Sequence, residues 1–377
     1  MGIAFIDLAA QQNRIREKLD ARIAAVLDHG KYIMGPEVAE FETELSNFCG
    51  VKHSLGCGNG TDALLLALMA LGVTKGDAVF CPSFTFAATA EVVPSLGAVP
   101  VFVDVDSETF NICPDSLLRA IEQAKTLGLK PKAIIPVDLF GLPANYPAIK
   151  KIAQQEGLQI LVDSAQGFGG TIDGKTTVGM GDIATTSFFP AKPLGCYGDG
   201  GAVFTNNDEH ADLVKSLRVH GKGSDKYDNV RIGMNSRLDT MQAAILLEKM
   251  AIYQDEIERR QVIANRYIEQ LKDVIKVPHV PDGYKSVWAQ FTLQARDTAH
   301  RDNLMGGLKD AGVPSVVYYP MPLHKQTAYA EFPADPKGMV VSDALAQQVF
   351  SLPMHPYMKE DDQDQIIQVL ANLCGKN

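Results

Sequence analysis

The chain has 377 residues, 46% hydrophobic and 21% charged, which suits a globular protein with a large core and more than one lobe. A formal net charge of -10 argues against a nucleic-acid-binding surface, which needs clustered Lys and Arg. Six scattered cysteines form no Cys-x-x-Cys pair, so no zinc or redox motif is expected, and reduced thiols in a cytoplasm are the plain reading.

The first stretch, "MGIAFIDLAAQQNRIREKLD", lacks a basic leader and is interrupted by Asp7, so it is not read as a signal peptide. Gly2 is followed by Ile6 where myristoylation needs Ser or Thr. The apolar run from Ala63 to Val73 falls short of the roughly 18 residues a bilayer requires, so no membrane partner is expected.

From about residue 55 to 205, β-rich runs alternate with helical patterns. "DAVFCPS", "VPVFVDV", "KAIIPVD", "LQILVDS" and "GAVFTNN" read as strands. "TDALLLALMALG", "FAATAEVVPSLGA", "PDSLLRAIEQAKTLG" and "NYPAIKKIAQQEG" read as helices between them. Such alternation predicts an α/β fold with a mainly parallel central sheet flanked by helices, whose ligands bind beyond the carboxyl ends of the strands. A long helical pattern over 236–272 leads out of this unit. "VWAQFTL", a helix over 298–311, "SVVYYP" and a helix from Glu360 predict a smaller C-terminal α+β domain. The expected division is 1–250, with an N-terminal helical segment, and 251–377.

Four stretches carry chemistry. In "GCGNGTDALLLAL" three glycines lead into a helix whose first turn holds Thr61, an arrangement that offers free N–H groups to an anion. The same residues also fit a glycine turn with Thr61 as N-cap. The glycines at 56, 58 and 60 do not make a G-x-G-x-x-G fingerprint, which disfavours a Rossmann oxidoreductase. In "PSFTFAATAE" Phe84 and Phe86 follow a strand end, where a ring either lies against a planar ligand or packs in the core. In "LQILVDSAQGFGG" Asp163 ends a strand, with Gln166 three residues on. A carboxylate there wants a cation or a structural hydrogen-bond donor. In "FFPAKPLGCYGDGGA" Lys192 sits among apolar and turn residues; desolvation lowers its pKa and makes it a nucleophile towards carbonyls, unless it is simply ion-paired or snorkelling. Singly these signals decide nothing. In this order they match the phosphate, flat ring, pyridine nitrogen and aldehyde of pyridoxal 5′-phosphate.

With "YIMGPEVAEFE", "GNGTDAL", "PSFTFAAT", "DSAQGFG", "SFFPAKPLGCYGDGGA", "GMNSRLDTMQAAIL" and "SLPMHPYM" in this order, nearly the whole chain resembles the DegT/DnrJ/EryC1/StrS family of sugar aminotransferases. The resemblance implies the type I, aspartate aminotransferase-like fold of pyridoxal phosphate-dependent transferases. It implies that Lys192 binds the cofactor as a Schiff base and moves the proton. Asp163 pairs with the pyridine nitrogen, Gln166 lies near the ring hydroxyl and Phe86 stacks on the ring. Gly60, Thr61 and Ser187 hold the phosphate, and Asn235 reaches it from the neighbouring subunit of a homodimer with shared sites. A lysine at 192 excludes the family's sugar dehydratases, which carry His there.

Several motifs look closest to the branch that aminates UDP-2-acetamido-2-deoxy-3-oxo-glucuronate for bacterial surface polysaccharides such as O-antigen, with L-glutamate as donor. In that branch an arginine at the position of Arg237 contacts the uronate, as bidentate guanidinium geometry favours; a salt bridge at the dimer interface is its other reading. Two departures stand out: Tyr318 where the branch has His, and Ser164 beside Asp163. His324, in "PMPLHKQ", is a further candidate for the sugar site, with a structural role as its other reading. The rival readings are a 4-keto or 6-deoxy-3-keto nucleotide sugar, and a non-catalytic pyridoxal phosphate-binding regulatory protein, which the complete site argues against.

Overall fold

The computed structural model describes residues 2–225 and 227–375. Seven strands form the main sheet, in the order His53–Cys57, Gly201–Thr205, Ile183–Ser187, Gln159–Asp163, Lys130–Ile134, Asp77–Pro82, Val99–Val103. The last five in this order pair in parallel, and Gly201–Thr205 runs antiparallel to both of its neighbours. All five strands read from the sequence are present. His53–Cys57 and Ile183–Ser187 are two more that the patterns did not reveal.

Strand residues alternate between two cores, as a period of two requires. Ala78 and Phe80 face a core with Phe41, Phe168, Phe188 and Phe204, whereas Val79 and Cys81 face one with Leu64, Leu68 and Val214. Helices Pro114–Thr126 and Tyr146–Glu156 cover the first face; Gly60–Ala70 and Asp208–Leu217 cover the second. Helix Gly60–Ala70 is apolar on nearly every side and accordingly lies buried. The helix expected over 86–98 is broken into one α-turn, Ala88–Glu91, and a 3₁₀ turn, Pro94–Leu96, because Pro94 cannot continue the ladder.

At the N-terminus Asp7 caps helix Leu8–His29 by accepting from Ala10 N at 2.8 Å, and Gly30, at φ 67°, ends it. This helix and Pro36–Cys49 lie along the 32-residue helix Thr240–Leu271. The far end of that helix, from Ile263 to Leu271, enters a third core with Trp288, Phe291, Leu352 and Ile366. The boundary expected at 250/251 falls inside this continuous helix. In the C-terminal part, Phe291–Gln294 pairs with Val349–Leu352. "SVVYYP" contributes only the bridge Val316–Ser351 rather than a strand. Among the described residues no helix is long and apolar enough to cross a membrane, and no His, Cys, Asp and Glu group is placed to hold a metal.

Asp104 ties the C-terminal part to the sheet. Helix Val340–Gln348 has no side-chain cap of its own. Its first N–H groups are satisfied by Asp104, which accepts from Val341 N at 2.9 Å, Ser342 N at 2.8 Å and Ser342 Oγ at 2.6 Å. Asp104→Ala would orphan these buried donors, and a loss of about 2–3 kcal/mol is expected; the urea midpoint of the purified variant checks it.

Candidate functional site

The carboxyl edge of the parallel strands gathers the predicted residues. Asp163 ends strand Gln159–Asp163 and is only 4% exposed. Its Oδ2 accepts from Thr89 Oγ1 at 2.9 Å and its Oδ1 from Ala165 N at 3.1 Å. Burial pushes its carboxyl above the usual range, and these two bonds and the attraction of Lys192 only partly oppose that. Among the described residues no basic side chain hydrogen-bonds it.

Lys192 lies in the turn between Ile183–Ser187 and Gly201–Thr205. The turn is drawn tight: Lys192 N donates to Phe189 O at 2.6 Å and Cys196 N to Phe188 O at 2.7 Å. A Cβ at Gly195 would stand 2.6 Å from the carbonyls of Phe189 and Pro190, so only glycine fits there. Burial pulls the Lys192 amine below its ordinary value, and Asp163 opposes the shift without cancelling it. The amine makes no hydrogen bond among the described residues. A carboxylate that resists ionisation thus faces an amine that resists protonation.

The glycine loop meets the end of the Ile183–Ser187 strand. Asn59 caps helix Gly60–Ala70 by accepting from Asp62 N at 2.7 Å. This leaves Gly60 and Thr61 in the first turn, where backbone N–H groups have no helical partner. The approach is close enough to demand glycine: an added Cβ would lie 2.6 Å from Ser187 Cβ at Gly60 and 2.4 Å from Asn59 O at Gly201. Gly60, Thr61 and Ser187 therefore form one cradle. Behind it, Ser236 Oγ accepts from Gly58 N at 2.9 Å, which sets Asn235 and Arg237 on either side of this anchor. The Asn235 side chain is exposed, Arg237 is half-buried, and neither side chain has a hydrogen bond or ion pair among the described residues.

Phe86 stands 55% exposed at this edge, its ring tilted 40° to that of Tyr319 at 6.5 Å. Phe84, by contrast, is fully buried against Phe140 and Tyr319. Gln166 is oriented by two bonds: its Oε1 accepts from Phe140 N at 2.8 Å and its Nε2 donates to the Tyr319 hydroxyl at 2.9 Å. Phe140 adopts φ 58°, a left-handed conformation that the Gln166 bond holds in place. Tyr318 is half-buried against the Tyr319 ring at 5.9 Å. His324 makes two contacts within the chain, which suit the structural one of its two readings. Its Nδ1 bonds Ser83 Oγ at 2.7 Å and its Nε2 lies 3.3 Å from Asp343, so both ring nitrogens are engaged within the chain.

Thr89 and Tyr319 are the contributors that the patterns did not single out. Thr89 ends the quoted "PSFTFAAT", one helical turn beyond Phe86, and Tyr319 is the second tyrosine of "VYYP". Each acts through a partner distant in sequence: Thr89 through Asp163, Tyr319 through Gln166.

The features fit pyridoxal phosphate on chemical grounds. A buried carboxylate without a bonded cation suits a protonated ring nitrogen, a cradle that a Cβ would fill suits a phosphate, and an exposed ring suits a planar group.

The lowered pKa of Lys192 carries a sign. Between that value and 10.5 the unfolded chain binds more protons than the folded one, so stability contributed by this group rises with pH across the window. Unliganded Lys192→Met, which lacks the buried charge, is expected to exceed the wild type at pH 7 by on the order of 1 kcal/mol. The gap should narrow as pH approaches 10.5, and denaturation midpoints at successive pH values check it.

Residues 13–371 match the model of the DegT/DnrJ/EryC1/StrS aminotransferase family. The chain is 49% identical to the UDP-2-acetamido-2-deoxy-3-oxo-D-glucuronate aminotransferase of Pseudomonas aeruginosa, over 94% of this chain and 96% of that one. Its structure superposes with a TM-score of 0.97 on a DegT DnrJ EryC1 StrS aminotransferase from Brucella abortus, at 55% identity, covering 99% of this chain and 100% of the other. The NtdA protein of Bacillus subtilis with bound pyridoxamine phosphate superposes at 0.88, with 32% identity, 97% of this chain and 83% of that one. The fold is thus the aspartate aminotransferase-like fold of pyridoxal phosphate enzymes, and the chain belongs to the DegT/DnrJ/EryC1/StrS family of sugar aminotransferases.

Proposed function

We propose that this enzyme moves the amino group of L-glutamate to the 3-keto carbon of UDP-2-acetamido-2-deoxy-3-oxo-glucuronate, supplying an amino sugar for bacterial surface polysaccharide in the cytoplasm. The observation that carries the substrate is Arg237. It is a half-buried guanidinium with no hydrogen bond or ion pair among the described residues, one residue beyond the Ser236 anchor of the glycine loop. Such a group matches a carboxylate through two parallel hydrogen bonds. The relative from Pseudomonas aeruginosa, named for a 3-oxo-glucuronate substrate, supports the same reading.

We assign cofactor binding to residues 1–250 and treat 251–377 as the smaller unit. Gly60, Thr61 and Ser187 would hold the phosphate, Asp163 the ring nitrogen, Phe86 the ring face and Lys192 the aldehyde carbon. Gln166 would meet the ring hydroxyl: Tyr319 takes one of its amide hydrogens, and the second is free to donate. When bound, the cofactor supplies a carbonyl that exchanges amines and a ring that withdraws electrons. Lys192 Nζ, whose protonation burial disfavours, accepts a proton from the carbon bearing the transferred nitrogen and gives it back on the other side of the transfer. Asp163, backed by Thr89, holds negative charge at the ring nitrogen. The exposed Asn235 side chain would serve the phosphate of a partner's site, which makes the working unit a homodimer. Tyr318 and Arg237 would line the sugar, while His324 anchors the loop between Ser83 and Asp343.

Absorbance spectra of the purified enzyme test this reading. L-glutamate should remove the visible band of the Lys192-bound cofactor, and the 3-oxo uronate should restore it. Restoration only by a 4-oxo UDP-sugar would overturn the substrate and leave the chemistry intact. Arg237→Leu should raise KM for the uronate about tenfold or more, through loss of a charge-assisted bond of about 1.5–3 kcal/mol, with little change for a keto sugar lacking a carboxyl group. Steady-state kinetics on the two substrates check it.

A further inference from the structure

Helix Thr240–Leu271 carries four polar residues, Gln242, Lys249, Glu256 and Arg260, at spacings of seven, seven and four, which put them on one face. Three of them grip the backbone of the turn that carries Lys192. Gln242 Oε1 accepts from Tyr197 N at 2.9 Å and its Nε2 donates to Tyr197 O at 3.3 Å. Lys249 Nζ donates to Gly195 O at 2.6 Å and lies 4.2 Å from the centre of the Tyr197 ring. Arg260 Nη1 reaches Pro193 O at 3.5 Å. Glu256 is committed elsewhere, accepting from Gln11 and Tyr357.

Lys249 is the unusual member, because its side chain is wholly buried and has no carboxylate bonded to it. A buried ammonium is costly, and a leucine would fill the space without that cost. What the lysine provides instead is a directed donor to the carbonyl of Gly195, a residue whose position tolerates no side chain. Burial lowers its pKa to about 8, opposed by the attraction of Glu256 and Cys196, and the Tyr197 ring packs against its ammonium.

We propose that Lys249, aided by Gln242 and Arg260, is a positioning residue for the aminotransferase reaction: it fixes the Pro193–Tyr197 backbone and so sets where Lys192 Nζ stands relative to Asp163. The proposal rests on Lys192 being the lysine that binds the cofactor.

The test uses the full-length holoenzyme with Lys249→Met and, separately, Gln242→Leu. Both should shift the pH at which the visible band of the bound cofactor titrates. Both should lower kcat per bound cofactor, Lys249→Met by about tenfold or more, with KM for the amino donor changed far less. An unchanged titration and unchanged kcat per bound cofactor, even with a lower melting temperature, would make Lys249 a core residue only and overturn the proposal. If Lys249→Met does not fold, Gln242→Leu decides by the same two readouts. Lys192→Ala is the control: if it keeps the visible band, the assignment of Lys192 falls, and this proposal with it.

Discussion

The structure is organised around a charge conflict at one edge of a parallel sheet. Asp163 is buried enough to resist ionisation, and Lys192 is buried enough to resist protonation. Each tendency runs against the side chain's preference in water and is imposed by burial among neighbours that offer few compensating donors. Folding alone gains little from such an arrangement, since an apolar pair of similar size would fill the space at lower cost. Under the proposed assignment of Asp163 and Lys192, its value lies in meeting a positive ring nitrogen and a carbonyl together.

The surroundings show how that conflict is contained. Thr89 and the Ala165 amide hold the carboxylate from the protein side. The Lys192 turn is closed upon itself and pressed against a helix face. The glycine loop and Ser187 sit too close for any side chain at Gly60. Strand ends and a clamped turn thus hold Asp163 and Lys192, while loops contribute the exposed Phe86 and Asn235 and the half-buried Arg237.

Much of this was legible in the sequence because its signals are local. Runs such as "LQILVD" are apolar enough to announce a buried strand, and an aspartate at the end of one marks the ligand edge. Ile183–Ser187 escaped detection because it is threonine-rich, with Thr185 and Thr186 hydroxyls bonded to the carbonyls of Val162 and Ser164. His53–Cys57 escaped because a short strand with a histidine and a glycine has no clear period. The site residues with a distinctive local setting, Lys192 and Gly60, could be named one by one. Thr89, Tyr319 and Lys249 could not, since each matters through a partner 74, 153 and 54 residues away. For His324 the sequence leaves a sugar-site role and a structural role open, because nothing local reveals its contacts with Ser83 and Asp343.

Helix Thr240–Leu271 runs without glycine or proline from the reactive turn to the C-terminal core. At 1.5 Å per residue it is about 48 Å long, and it holds no element at which helices commonly kink. It therefore behaves as a stiff axle shared by both ends of the molecule. Because the lysine turn is clamped to its first half and its last turns lie in the C-terminal core, one unbroken element sets the separation between the two.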